Sequence, residues 1–250
     1  MVAGIRPAHR AAYTWVRTLL TVPHPEGPWM QDQVLGSPMP VLSISLEPGE
    51  SVLAEAGEFA WMTDSIQLST GVGGSPLRLS TYSALGAAGT IAFAAKLPGS
   101  IQPVDVALGT EVLVHRHGFL AGTPGIEVSP GFQQSFAAGV FAAEGFLLRR
   151  IGGQGRAWVE LAGQVVSCPL RAGQSLRAHP GHVGLLDSSV TVQVMPVHGV
   201  VNRYFADDVH YFAVLSGPGT VWLQSTPLPV SAAALVPYLN SSHLSAQGKP

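Results

Sequence analysis

One stretch of this chain is written three times. Leu46–Leu68, LEPGESVLAEAGEFAWMTDSIQL, returns after 60 residues and again after 124, and neither alignment needs a gap between Ser51 and Leu68. At the first offset Val52-Leu53 falls on Val112-Leu113, Phe59 on Phe119 and Thr63 on Thr123. At the second, Ser51 falls on Ser175, Ala54 on Ala178, Gly57 on Gly181 and Ser65 on Ser189. Each unit is entered through a glycine: Gly49, Gly109 and Gly173. A period of this size means one supersecondary unit, repeated and either stacked or set around an axis.

The unit reads as a β meander. Residues 41–46 alternate with period two, as a half-buried strand does. Pro48-Gly49 supplies a turn, with type II the natural choice because glycine accepts positive φ at its third position. Residues 51–55 return, Ala56-Gly57 bends the strand, 59–63 continues, and Asp64-Ser65 turns into 66–69. The expected fold is therefore all-β: a barrel-like body of double-stranded β-helix type, built from three internal repeats near 41–70, 101–130 and 165–194, with short helices at the termini. Between the units lie glycine-rich segments at 71–76, 129–144 and 198–208, each followed by a further strand. Glycine pairs in 152–155 and 217–219 predict hairpins, with Trp158 and Trp222 three residues after the last glycine. The strand aromatics Trp61, Trp158, Trp222, Phe59, Phe119, Phe146 and Phe212 are expected in the core.

The flanks differ from the body. Residues 1–40 divide into an amphipathic N-terminal helix, with Ala12, Trp15, Val16 and Leu19 on one face, and a proline-rich extended arm or edge strand. Arg6, Arg10 and Arg17 with no acidic residue in 1–25 resemble a transit peptide in charge, while Arg17 interrupts any secretory core. Residues 231–239 form a helical cap interrupted by Pro237, and 240–250 is expected to be a disordered tail. The domain proper is 41–239.

Composition excludes several classes. Charged residues make up 11% of the chain against an ordinary ~25%. With a net charge of −2 and only two lysines, Lys96 and Lys249, nucleic acid is not an expected partner. The one local basic cluster is Arg149-Arg150 with Arg156, and alternation puts the first two on opposite faces of a strand. Cys168 stands alone, which rules out an intramolecular disulfide and fits a reducing compartment. No run reaches the 18 apolar residues of a spanning helix.

Chemistry-bearing candidates are few. The repeat register brings Glu55, His115 and His179 to one equivalent position, and two histidines with a carboxylate are the ligand set of a facial-triad metal site. Alternation places the apolar residues at 52 and 54 and their equivalents on one face, so position 55 points the other way, to solvent or to a subunit contact. Gly71-Val72-Gly73-Gly74 lacks the Gly-Lys-Ser/Thr and helix start of a phosphate loop. Ser167 and Ser216 sit in no Gly-x-Ser-x-Gly elbow, and Cys168 precedes a proline with no basic neighbour.

Taken together, several strings resemble a known family: Leu46–Glu55, then Leu97-Pro98-Gly99-Ser100-Ile101-Gln102-Pro103-Val104-Asp105, Glu144-Gly145-Phe146, Gly181-His182-Val183 and Gly217–Gln224. They are similar to the mitochondrial-biogenesis family named for altered inheritance of mitochondria, over residues 41–239. The resemblance implies a fold like that of the tryptophan RNA-binding attenuator protein (TRAP-like). Its eukaryotic member is associated with the mitochondrial inner membrane and its cristae-organising complex. This chain departs from the family in a short segment at 71–76 and in Phe205-Ala206-Asp207-Asp208, where Phe-Gly-Gly-Glu is expected.

The expectation is a non-enzymatic oligomeric β scaffold or binding module, cytoplasmic, with no cofactor. A homo-oligomer is expected because the polar strand faces carry Ser, Thr and Gln rather than Lys and Glu. The resemblance admits a trimer, while nothing in the spacing sets the number. A protein partner or peripheral membrane contact is compatible with this. The alternative is a small-molecule or metal-dependent enzyme using the Glu55/His115/His179 side of the repeats.

Overall fold

The computed structural model describes residues 30–55, 57–70, 79–135, 145–196 and 211–241. The stretch around Trp15 and the segments 71–76 and 198–208 lie outside the described residues.

Each unit opens on a turn of the same construction. Gly49, Gly109 and Gly173 take φ of +92°, +82° and +79°. A Cβ on any of the three would meet no atom within 4 Å, so the positive φ, not crowding, selects glycine. The turns close from Glu50 N to Glu47 O, Thr110 N to Ala107 O and Gln174 N to Arg171 O, at 2.9, 2.9 and 3.0 Å. The side chains of Glu50, Thr110 and Gln174 then each accept from the backbone N–H three residues back. Three residue types perform one task.

Strand β1 (Gln31–Leu35) comes from the arm. The first unit supplies β2 (Val41–Leu46), β3 (Ser51–Glu55), β4 (Phe59–Met62), β5 (Ile66–Thr70), β6 (Leu79–Ala84) and β7 (Gly89–Ala94). The second supplies β8 (Gly99–Val106), β9 (Val112–His115), β10 (Phe119–Gly122), β11 (Ile126–Gln134), β12 (Phe146–Gly153) and β13 (Gly155–Ala162). The third supplies β14 (Val165–Leu170), β15 (Ser175–Ala178), a 3-10 turn at Pro180–His182, β16 (Val183–Asp187), β17 (Thr191–Pro196), β18 (Tyr211–Ser216) and β19 (Gly219–Gln224). One helix, α1 (Leu228–Ser241), follows and runs through Pro237.

The strands pair antiparallel in four sheets, ordered β1-β2-β7-β4, β5-β6-β3-β10-β13-β8, β11-β12-β9-β16-β19-β14 and β15-β18-β17. Every order has two free ends. The barrel-like body expected from the repeats therefore takes the form of open sheets, not a closed barrel. Closure would need each edge strand to find a partner across the ring, and here each unit divides its strands between two sheets instead.

That division corrects the expected hairpins. β12 and β13 follow one another in the chain but lie in different sheets, as do β18 and β19. The glycines between them make a corner. Gly153 has φ +88°, and a Cβ there would lie 2.1 Å from the Gly125 carbonyl oxygen. The glycine-rich segment at 129–144 begins inside a strand, because β11 continues to Gln134, while 136–144 lies outside the described residues. Its register shifts between Pro130 and Gln133, and a Cβ on Gly131 would press on the Leu113 side chain at 2.6 Å. Glycine inside a strand marks a bulge and a close approach here.

The alternation within the units is as expected at Val52, Ala54, Val114 and Ala178, all buried. Trp158, Tyr82, Phe93 and Phe119 are the largest fully buried side chains. The aromatic core needs correction at two positions. Trp61 is 54% and Phe212 38% exposed. Trp61 lies on β4, the last strand of its sheet, with no second neighbouring strand among the described residues.

Candidate functional site

The position shared by Glu55, His115 and His179 is the last residue of the second strand in the first two units and the residue just past it in the third, where the backbone turns. Glu58 N bonds Glu55 O at 3.1 Å, Gly118 N bonds His115 O at 2.8 Å and His182 N bonds His179 O at 2.9 Å. The three side chains go to different places. Glu55 Oε1 sits 2.7 Å from Nη1 of Arg149, which ties β3 of the first unit to β12 of the second. His115 donates Nε2–H to the Glu160 carbonyl at 2.9 Å. The His179 ring packs edge-on against His182, with centroids 5.6 Å apart. Among the described residues no three His, Cys, Asp or Glu side chains gather as a metal ion would require. Position 55 thus faces neither open solvent nor a common centre; in the first two units it reaches into the neighbouring structure.

Around His115 the ionisable groups form a connected set. Lys96 Nζ lies 2.8 Å from Glu58 and 3.3 Å from Glu160, and the Lys96 backbone N–H donates to Glu160 Oε2 at 3.0 Å. Burial would lower the Lys96 ammonium, but the Glu58 hydrogen bond and the two carboxylates outweigh it and hold it above its ordinary range. Burial raises the Glu160 carboxyl in spite of Lys96. His115 is driven down to about 4 by burial, against which its bond to the Glu160 backbone works, with His117, Lys96 and Arg149 adding to the fall. At neutral pH it is an uncharged hydrogen-bond donor.

Two clefts flank His115 and His117. One, beside Lys96, Glu160 and Gln224, holds about 30 Å³, and the other, beside Gly145 and Pro180, about 50 Å³. Such volumes take a few waters, against roughly 300–1,000 Å³ for a pocket that encloses a drug-sized ligand. Gln224 closes the inner wall. Its amide accepts from Ala162 N at 3.0 Å and donates to Gly181 O at 3.2 Å, while its carbonyl accepts from His182 Nδ1 at 2.8 Å.

A second polar network escaped the sequence reading. Arg156 forms a two-pronged pair with Asp105 at 2.7 and 3.1 Å and reaches Asp32 at 3.2 Å. Asp32 also accepts the indole N–H of the buried Trp158 at 3.0 Å. These contacts clamp β1 onto the second sheet. Their only signal in the sequence is an aspartate in the proline-rich arm, 124 residues before its partner. The basic cluster is likewise committed: Arg149 to Glu55, Arg150 to Glu111, Arg156 to its two aspartates. Burial pushes the Cys168 thiol up, away from the reactive thiolate. No helix among the described residues is long and apolar enough to cross a membrane.

The pattern of a family described as mitochondrial biogenesis AIM24 matches residues 33–226. No curated protein matches the chain by sequence. A crystal structure of a Streptococcus pyogenes protein superposes with a TM-score of 0.69 at 19% identity, covering 84% of this chain and 99% of that one. At that identity the likeness shows the fold.

Proposed function

This chain belongs to the mitochondrial biogenesis AIM24 family, and from that premise we propose that it is a non-enzymatic, oligomeric β scaffold of TRAP-like, three-unit construction. The observation that carries the reading is how the polar side chains at the shared position are spent. Glu55 is held by Arg149 across two units, and His115 is a neutral donor to the Glu160 backbone. Both hold structure together.

Assembly accounts for the surface. Ser45, Gln67, Ser69, Thr191 and Gln193 are exposed where a lone β protein would carry Lys and Glu. Trp61, Leu68, Val166 and Met195 are exposed with them. Neutral polar side chains and scattered apolar ones suit an interface between chains. The half-buried, unactivated Cys168 fits the cytoplasm.

Light scattering coupled to size-exclusion chromatography tests the assembly. The expected result is a species at a multiple of the 26.1 kDa chain mass; a monomer across a hundredfold dilution series overturns it. Elemental analysis of protein purified without a histidine tag tests the chemistry. One equivalent of iron, manganese or zinc, lost in the His115→Ala/His179→Ala double variant, would establish the metal-dependent reading instead.

A further inference from the structure

The two central sheets have one plan. Each takes three strands from one unit and three from the next: β5-β6-β3 meets β10-β13-β8, and β11-β12-β9 meets β16-β19-β14. In both, the joint is the second strand of one unit against the third strand of the following unit. The outer sheets are the halves left over. β4, β7 and β2 are the half that awaits a preceding unit, and β15, β18 and β17 are the half that awaits a following one. We propose that β15 of one molecule pairs with β4 of a second molecule, so that head-to-tail association of this chain completes a third six-stranded sheet. The proposal rests on the oligomeric reading above and specifies its interface.

The edges look like unmade joints. At the two completed joints the third strand is covered: β10 is buried throughout and β16 is buried but for Asp187. On β4 the equivalent residues Ala60 and Trp61 are exposed, Trp61 by 54%. No residue of β3 or β9 is exposed, whereas Ser175 and Arg177 of β15 are. Among the described residues β4 pairs only with β7 and β15 only with β18. Each therefore presents a row of free backbone donors and acceptors to one side.

The completed joints also set the register. Ala121 faces Ala54 and Gly122 faces Leu53 at the first; Leu185 faces Val114, Leu186 faces Leu113 and Asp187 faces Val112 at the second. Carried over by the offsets of the repeat, both joints independently give Trp61 opposite Ala178 and Met62 opposite Arg177. The second adds Thr63 opposite Leu176. A large side chain would meet a small one, and Arg177 would come diagonal to the exposed Asp64, within reach of a long cation. The contact is heterologous, so it closes a ring when the rotation permits and otherwise extends a filament.

Crosslinking decides it. Chains carrying Cys168→Ser with either Met62→Cys or Arg177→Cys are co-expressed and oxidised. The expected product is a disulfide-linked pair containing one chain of each kind, about tenfold more abundant than from Phe59→Cys with Arg177→Cys, which is three residues out of register and beyond disulfide reach. Equal yield from both pairs, or none from the first while wild type remains oligomeric, overturns the interface and leaves the scaffold reading standing. A monomeric wild type overturns both. One chain bearing Met62→Cys and Arg177→Cys together tests internal closure: a disulfide formed within the monomer would overturn pairing between molecules.

Discussion

His115 should make this protein sensitive to mild acid, and by a calculable amount. Its folded-state value of about 4 lies below the ordinary 6.5. The unfolded chain therefore takes up the proton first, and stability is whole above about pH 7, falls from pH 6.5 toward 4, and is flat below. The full difference corresponds to about 3 kcal/mol, and the part already lost at pH 5 relative to pH 8 to about 2 kcal/mol. Glu160 works in the opposite direction, because burial raises its carboxyl and protonation at low pH then favours the folded chain. Comparison with His115→Gln separates the two. Glutamine keeps a donor for the Glu160 carbonyl but does not titrate. Chemical denaturation of both proteins at pH 8, 6.5 and 5 should show wild type losing about 2 kcal/mol more than the variant over that span. A difference constant to within ~0.5 kcal/mol would refute a half-buried, neutral His115.

Asp32→Ala should cost about 2–3 kcal/mol, because it takes the acceptor from the buried Trp158 indole N–H and one of two carboxylates from Arg156, whose pair with Asp105 remains; a fall in thermal midpoint with native circular dichroism at low temperature is the readout. Trp158→Ala should cost about 3–5 kcal/mol, and Trp222→Ala distinctly less, since the first is fully buried and the second half-buried. Equal losses in urea titrations would show that burial does not rank them. Gly99→Ala should lower stability by about 2 kcal/mol or more, because its Cβ would lie 2.1 Å from the Leu161 backbone oxygen. A variant as stable as wild type would mean that the strand pair shifts freely.

What could be read ahead of the structure was local. The positive-φ turns at Gly49, Gly109 and Gly173, the burial of Val52 and Ala54, and the all-β class follow from neighbours in sequence. The shared task of Glu50, Thr110 and Gln174 went unread, since their chemistry differs and only the repeat register relates them. Partnerships across sheets were not legible. Nothing near Gly153 says whether the chain folds back on itself or crosses to another sheet, because both need a glycine corner. Trp61 looks like core because β-propensity reports a strand and not whether a neighbour covers it. The equivalence of Glu55, His115 and His179 in sequence did not mean convergence, for each side chain takes the partner its own surroundings offer.

The division of each unit between two sheets has a thermodynamic corollary. In a solenoid every repeat carries its own intrinsic stability, so repeats can be removed or can unfold one at a time. Here the boundaries of the sequence repeat and of the sheets are out of phase by half a unit. Excision of the middle unit would remove half of both central sheets together. Cooperativity is therefore built into the wiring: the described units should melt in one calorimetric transition, with calorimetric and van't Hoff enthalpies equal, and proteolytic nicking should find no stable fragment ending at a repeat boundary.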